Sequence, residues 1–215
     1  MEEKSKLQDK FATQSDDSQP LSLRERKKRL AQATIEEAAL RLFQQKGYEQ
    51  TSIQDIADAV MMSSRTFFRY FASKEEVLFT PMRAIMSDGL RFLQRVAPTT
   101  ESPQAALRAT FEELVSQFQQ QRATFLIRYQ VAMQIPSVAP IYLAVLIETE
   151  LALSDVLCAY LEAGTSRQEM HFLVALYMTA LRVALQEWLE QEAQGDLVSM
   201  LRKYLDSLSS LAHQA

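Results

Sequence analysis

From Leu30 onward, apolar side chains return at steps of three and four residues, the period of helices that turn one face inward. Leu30, Ile35, Ala38, Ala39, Leu42 and Phe43 fall mostly on one such face. Lys46-Gly47 then supplies a cationic last turn and a terminating glycine, which predicts a first helix over 24–46. Leu78, Met82, Ile85, Met86, Leu93 and Val96 mark a helix over 74–96. Pro81 lies inside it, removes the bond to the Val77 carbonyl and is expected to bend it. Ser102-Pro103 opens a helix over 103–120 carrying Leu107, Phe111, Leu114 and Phe118. Further helices are predicted over 122–134, 141–163, 167–192 and from Leu197 onward.

The stretch between the first and the long fourth helix is punctuated more densely. Thr51-Ser52-Ile53-Gln54 reads as a capping box in which the Thr51 hydroxyl takes the amide of Gln54, opening a short helix over 52–59. Ser63 caps a segment over 64–71, and Ser73-Lys74-Glu75-Glu76 is a second box. Ser166-Arg167-Gln168-Glu169 is a third, farther on. Starts at residues 51, 63 and 73 leave room only for tight turns between short helices.

The helix over 167–192 is apolar on two faces. Met170, Leu173, Tyr177, Leu181 and Leu185 form one, and Phe172, Ala175, Leu176, Thr179 and Val183 form the other. The last helix carries a stripe of Leu197, Leu201, Tyr204, Leu205, Leu208 and Leu211. A solitary domain buries one face of such a helix, so the surplus predicts a second copy packed about a two-fold axis. Phe172, Ala175, Leu176, Thr179, Val183, Leu201, Leu205 and Leu208 are the expected contacts.

Composition narrows the function classes. With four glycines and six prolines in 215 residues, turn signals are too sparse for a β-sandwich or barrel. The single cysteine, Cys158, excludes an intramolecular disulfide framework or a thiolate zinc cluster, and His171 and His213 stand too far apart to suggest a metal site. Neither metal nor cofactor is expected. No glycine-rich phosphate loop, paired-carboxylate motif or nucleophile elbow is found, which disfavours an enzyme and leaves no catalytic residue to name. The first twenty residues lack a signal-peptide core, and charges interrupt the apolar stretches before membrane-spanning length, so a cytoplasmic protein without a membrane partner is expected.

The formal charge of −4 conceals an asymmetry: residues 21–80 carry +2, and residues 81–215 carry −4. Arg24, Arg26, Lys27, Lys28 and Arg29 are bunched at the start of the first helix. Residues 1–22 are too polar to offset the entropy of ordering and are read as a disordered tail. Beyond the cluster, residues 51–78 read TSIQDIADAVMMSSRTFFRYFASKEEVL: a short helix, a four-residue connection and a second short helix. Ser64, Arg65, Thr66 and Arg69 present donors on that second helix, while Phe67 and Phe71 can anchor it inward. Such a rod fits a DNA major groove.

These residues closely resemble TetR-type (tetracycline-repressor-like) transcriptional regulators. Ile56, Ala57, Ser63, Thr66, Phe67, Tyr70, Phe71, Ser73, Lys74, Glu75 and Leu78 match the family pattern, as do Ala38, Leu42, Phe43, Gly47, Tyr48 and Thr51 before them. The resemblance implies an all-α fold: an N-terminal three-helix helix-turn-helix DNA-binding head over 23–72, and a C-terminal helical effector-binding and dimerisation domain over 73–215. It implies a repressor that binds an inverted-repeat operator as a homodimer and is released by a small hydrophobic or amphipathic effector. Lys28, Thr51, Ser63, Ser64, Arg65, Thr66, Phe68, Arg69, Tyr70 and Lys74 are the expected DNA-binding residues. Two departures stand out. Val60-Met61-Met62 occupies the turn where the family carries a small residue, glycine and valine, and Phe68 replaces a tyrosine.

Such a domain typically encloses a small-molecule pocket. Phe111, Arg128, Tyr129, Tyr142, Glu148 and Tyr177 are the expected ligand-binding residues, with Arg128 also able to pair with Glu148 or Glu150. The same scaffold serves a transcriptional activator equally well. A protein–protein adaptor with a degenerate head, suggested by Met61 and Phe68, is a further alternative.

Overall fold

The computed structural model describes residues 22–160 and 166–212, and among these every regular element is helical. In chain order they are α1 (Leu23–Lys46), α2 (Ile53–Ala59), α3 (Ser64–Phe67), α4 (Lys74–Val96), α5 (Pro103–Gln120), α6 (Arg122–Gln134), α7 (Ala139–Ala159), α8 (Arg167–Glu190) and α9 (Leu197–Ala212), with a 3-10 turn over Ala97–Thr99. The expected mobile tail lies outside the described residues except for Ser22. That residue caps α1: its hydroxyl accepts the Glu25 amide at 3.3 Å, and the Glu25 carboxylate accepts the Ser22 amide at 2.9 Å.

The head assembles around buried Ile35, Phe43, Ile56, Phe67 and Phe71, and side-chain caps satisfy amides at the starts of its short helices. Ser52, not Thr51, is the N-cap of α2. Its extended backbone lets the hydroxyl accept the Asp55 amide at 3.1 Å, and Asp55 accepts the Ser52 amide at 2.7 Å. Thr51 instead turns inward, donating to the Gly47 carbonyl at 2.8 Å and closing the turn after α1. Such a cap contributes about 1 kcal/mol. Lys46 at the end of α1 pairs with Asp55 of α2 at 2.8 Å. That partner and the Ser52 bonds hold the Asp55 carboxyl well below the ordinary aspartate range.

The third helix is shorter than its pattern suggests, ending at Phe67 rather than Phe71. Turns carry the chain on, with the Tyr70 and Phe71 amides both donating to the Phe67 carbonyl. Phe67 and Phe71 are still buried together, their centroids 5.9 Å apart, against Ile35, Phe43 and Ile56. Ser73 then caps α4 by accepting the Glu76 amide at 3.2 Å, while the Glu76 carboxylate takes the Ala72 amide instead of closing the box on Ser73.

α4 runs through Pro81 without a break and joins the head to the body. Its Gly89 lets α5 approach so closely that an added Cβ would lie 2.5 Å from Leu114 Cδ2. α5, α8 and α9 pack side by side around Phe111, Leu114, Phe118, Leu181 and Trp188. Ser166 stands at the N-cap of α8 without a side-chain cap bond, its hydroxyl donating instead to Gln168 at 2.9 Å. α8 is also the one helix among the described residues that is long and apolar enough to cross a membrane, contrary to the expectation that charges would interrupt every such stretch. Here it packs against α7, α9 and α5.

The last helix corrects part of the expected dimer surface. Leu201 and Leu205 are buried within their own chain, and Leu208 packs half-buried against the same core. The outward side of α9 is charged instead: Arg202 forks onto Glu112 at 2.9 and 2.7 Å, and Lys203 pairs with Glu187 at 3.2 Å. Leu197, Leu201 and Leu205 close the core of the single chain.

Candidate nucleic-acid interface and effector cavity

The α2–α3 corner presents a compact donor-rich surface. Ser63 caps α3 by accepting the Thr66 amide at 3.2 Å, with the two hydroxyls 3.0 Å apart. Ser64 donates to Gln54 at 2.6 Å and so fastens α3 to α2. With Phe67 fully buried, Arg65, Phe68 and Arg69 are left exposed, and Arg65 has no polar partner among the described residues. A free guanidinium on such a helix can engage guanine through two parallel hydrogen bonds or reach a phosphate. Phe68 offers an aromatic face to a sugar or a thymine methyl but no hydroxyl.

Not all expected contacts share this surface. Thr51 is 1% exposed, so its hydroxyl serves the Gly47 turn and is closed to DNA. Lys74 is half-buried, with its ammonium donating to the Tyr48 carbonyl at 2.9 Å and lying 4.2 Å from that ring's centroid. Tyr48 in turn donates to Glu75 at 2.6 Å, so Lys74 first pins the start of α4 to the head, keeping only its remaining donors for phosphate. Burial and the Glu75 bond push the Tyr48 phenol far up. Tyr70 is half-buried with the Arg69 guanidinium 5.9 Å from its ring. Lys28 and its neighbours Arg24, Arg26, Lys27 and Arg29 are exposed at the open end of α1.

Met61 occupies the α2–α3 turn with φ +53° and 95% of its surface exposed. The left-handed backbone brings Cβ against the following carbonyl at a cost of about 1–2 kcal/mol. The turn therefore keeps the geometry that glycine would adopt freely. Met61→Gly is expected to raise stability by up to about 1 kcal/mol, the relief of strain being partly offset by the greater freedom of the unfolded chain. Denaturant titration of the two proteins measures it, and a fall in stability would show the turn to be unstrained.

The second site lies beneath α4. Leu78, Phe79, Pro81, Met82 and Ile85 on α4, Gln121, Phe125, Arg128, Tyr129 and Ala132 around α6, and Tyr142 on α7 enclose a cavity of about 20 Å³. An adjoining one of about 10 Å³ shares Met82, Phe125 and Tyr142 and reaches Arg182. Of the residues expected to bind ligand, the structure gathers Arg128, Tyr129 and Tyr142 here. Glu148 lies elsewhere, exposed on α7 and paired with Arg83 at 2.6 Å. Phe111 and Tyr177 also lie elsewhere, packed on each other with the Tyr177 hydroxyl donating to the Gln104 carbonyl at 3.1 Å. Phe79 and Phe125 line the space without a distinguishing signal in the sequence, since each reads as ordinary helix interior, while Pro81 stood out only as an expected bend in the helix.

Arg128 pairs with neither Glu148 nor Glu150. It reaches Glu36 of α1 at 3.2 Å, with the side chains only 12% and 18% exposed. Its buried Nε has no partner among the described residues. Burial raises the Glu36 carboxyl and lowers the Arg128 guanidinium, each only partly countered by the other's charge. An unmade buried bond of this kind costs about 1–3 kcal/mol, and a buried pair is weak evidence of stabilisation.

A three-helix head with an exposed recognition corner, coupled by one long helix to an all-helical body with its own cavity, defines a helix-turn-helix DNA-binding regulator. Residues 35–80 match the model of bacterial regulatory proteins of the tetR family. The chain is 32% identical over 198 residues to the HTH-type transcriptional regulator TcmR of Streptomyces glaucescens, covering 88% of this chain and 86% of that one. Its fold is similar to the fatty acid degradation regulator FadR from Bacillus halodurans, with a TM-score of 0.60 at 16% identity over 81% of this chain and 92% of that one. It is also similar to the repressor FadR of Thermus thermophilus in complex with lauroyl-CoA, with a TM-score of 0.53 at 23% identity over 81% and 91%. The chain belongs to the TetR family of transcriptional regulators.

Proposed function

We propose that the protein is a homodimeric, cytoplasmic repressor that covers an inverted-repeat operator and leaves it when a small hydrophobic or amphipathic effector enters the cavity beneath α4. The observation that supports DNA reading most directly is the α3 corner, where buried Phe67 fixes the helix and Arg65, Phe68 and Arg69 face outward. The basic end of α1 supplies phosphate contacts beside it. Two such corners on a two-fold axis would meet half-sites about one helical turn, roughly 34–36 Å, apart.

The dimer surface in this reading runs over α7 and α8. Leu143, Ile147 and Leu151 recur every four residues on α7 and are 55%, 58% and 48% exposed, while Phe172 on α8 is 66% exposed. His171 meets Glu150 at 2.8 Å, bringing Leu151 and Phe172 to the same level of the α7–α8 hairpin. Ala175, Leu176, Thr179 and Val183 continue the α8 face, half-buried or exposed. A contiguous apolar face of this kind on two antiparallel helices suits a second copy forming a four-helix seam. The α7 row replaces the α9 leucines expected from the sequence.

Arg65→Ala is expected to reduce discrimination among duplex sequences by about 1–3 kcal/mol at one position of each half-site. Lys28→Gln should weaken all duplexes alike and lower the slope of log affinity against log salt by about one unit. Binding titrations on a duplex pool at several salt concentrations separate the two effects. If both variants bind like the parent, this surface does not read DNA.

A further inference from the structure

The cavity beneath α4 has one charged wall, and that wall belongs to the contact between body and head. Arg128 projects from α6 to the cavity edge and also reaches Glu36 on α1, using one Nη at 3.2 Å while its buried Nε–H is unused. A guanidinium held by a single bond, with a second donor enclosed and idle, is incompletely satisfied as it stands. Its planar fork matches an acceptor offering two oxygens in one plane. The remaining lining is aromatic and aliphatic, with Phe79, Phe125, Tyr129 and Tyr142 prominent.

We propose that Arg128 is both the recognition group for the effector and the latch between body and DNA-binding head. A ligand with an aromatic or aliphatic body and an anionic oxygen group captures Arg128 from within the cavity and releases Glu36. The inference deepens the effector-responsive reading above and rests on it. At about 20 Å³ the cavity holds roughly one water, so a larger ligand needs α4 and α6 to part. Since α6 is tied to α1 through Glu36, that parting acts directly on the head. Burial opposes both charges of the existing pair, which eases the exchange of one acceptor for another.

Competition for one guanidinium makes the coupling reciprocal: whatever Glu36 contributes to holding Arg128 is withdrawn from the affinity for the anion. The probes are 1-anilinonaphthalene-8-sulfonate and its uncharged counterpart N-phenyl-1-naphthylamine, titrated by fluorescence into the full-length protein. Glu36→Gln should tighten the sulfonate about ten-fold and leave the neutral dye unchanged. Arg128→Met, which keeps much of the stem's bulk, should weaken the sulfonate about ten-fold while sparing the neutral dye. The double variant should match Arg128→Met, because Glu36 has then nothing to compete for. Circular dichroism melts establish that each variant is folded.

The parent should also lose affinity for its selected duplex as the sulfonate is added, and Glu36→Gln should lose less. If the variants shift both dyes in parallel, or shift neither, or if the parent takes up neither dye, the latch is overturned even when DNA binding is intact. If the dye pattern holds but the parent binds no duplex, the repressor reading fails while Arg128 stands as an anion site.

Discussion

Ile147→Glu combined with Phe172→Glu is expected to yield a folded monomer whose operator affinity is lower by about two orders of magnitude or more. Both side chains are more than half exposed in the single chain, so the substitutions remove little of its own core. In a two-fold assembly each apolar face meets its symmetry mate, and like charges on both sides repel while losing their hydration. Loss of the partner turns the second half-site from an intramolecular encounter into an independent one, a difference of roughly 10²–10⁴ in avidity. Light scattering gives the mass, and duplex titration gives the affinity. A dimer that persists with unchanged operator binding would place the interface elsewhere.

The largest expected effect on stability is that of Trp188→Ala. The indole is fully buried, its Nε1–H donates to the Gly195 carbonyl at 3.3 Å, and its ring lies 6.4 Å from that of Phe125. Trp188 therefore joins α8, the turn into α9 and α6 at one point. Truncation is expected to cost about 3–5 kcal/mol through lost transfer energy and the cavity left behind. For a chain of this length that lowers the melting temperature by roughly 10 °C. Trp188→Phe keeps most of the apolar volume and should retain a large part of that stability. Equal losses in the two variants, followed by circular dichroism, would show that the hydrogen bond rather than the packing matters there.

Helix periodicity made most of the body legible because a buried stripe leaves its mark every three or four residues. Local competition between neighbouring hydroxyls was not legible. Thr51 and Ser52 both suit an N-cap, and only the Gly47 carbonyl, reached through the preceding turn, decides that Thr51 bonds backward while Ser52 caps α2. The end of α3 is similarly decided by tertiary packing, since Phe67 and Phe71 would share a face whether helix or turn joined them. Amphipathic stripes also do not state their partner. Leu197, Leu201 and Leu205 of α9 turned toward α5 and α8, whereas α7 carries apolar residues on most sides, so its periodicity did not tell which of them, Leu143, Ile147 and Leu151, would stay outside.

At the two sites the same limits recur. The α3 corner could be read from spacing because its caps and aromatic anchors are close in sequence. Arg128 was visible as a charge in an apolar run, but its partner Glu36 is 92 positions away and carries no pattern of its own. Met61 stood out as a substitution at a glycine position, and its φ of +53° shows the turn retained its shape around a less suitable residue.

Two α3 corners are expected to read duplex DNA together. Selection of bound fragments from a random duplex pool by the purified full-length protein, followed by sequencing and measurement of stoichiometry, tests it most directly. The expected product is an inverted repeat with half-site centres separated by one helical turn or a multiple, occupied by an even number of chains. Recovery of sequences with no preference, or of a single half-site bound by one chain, would contradict it.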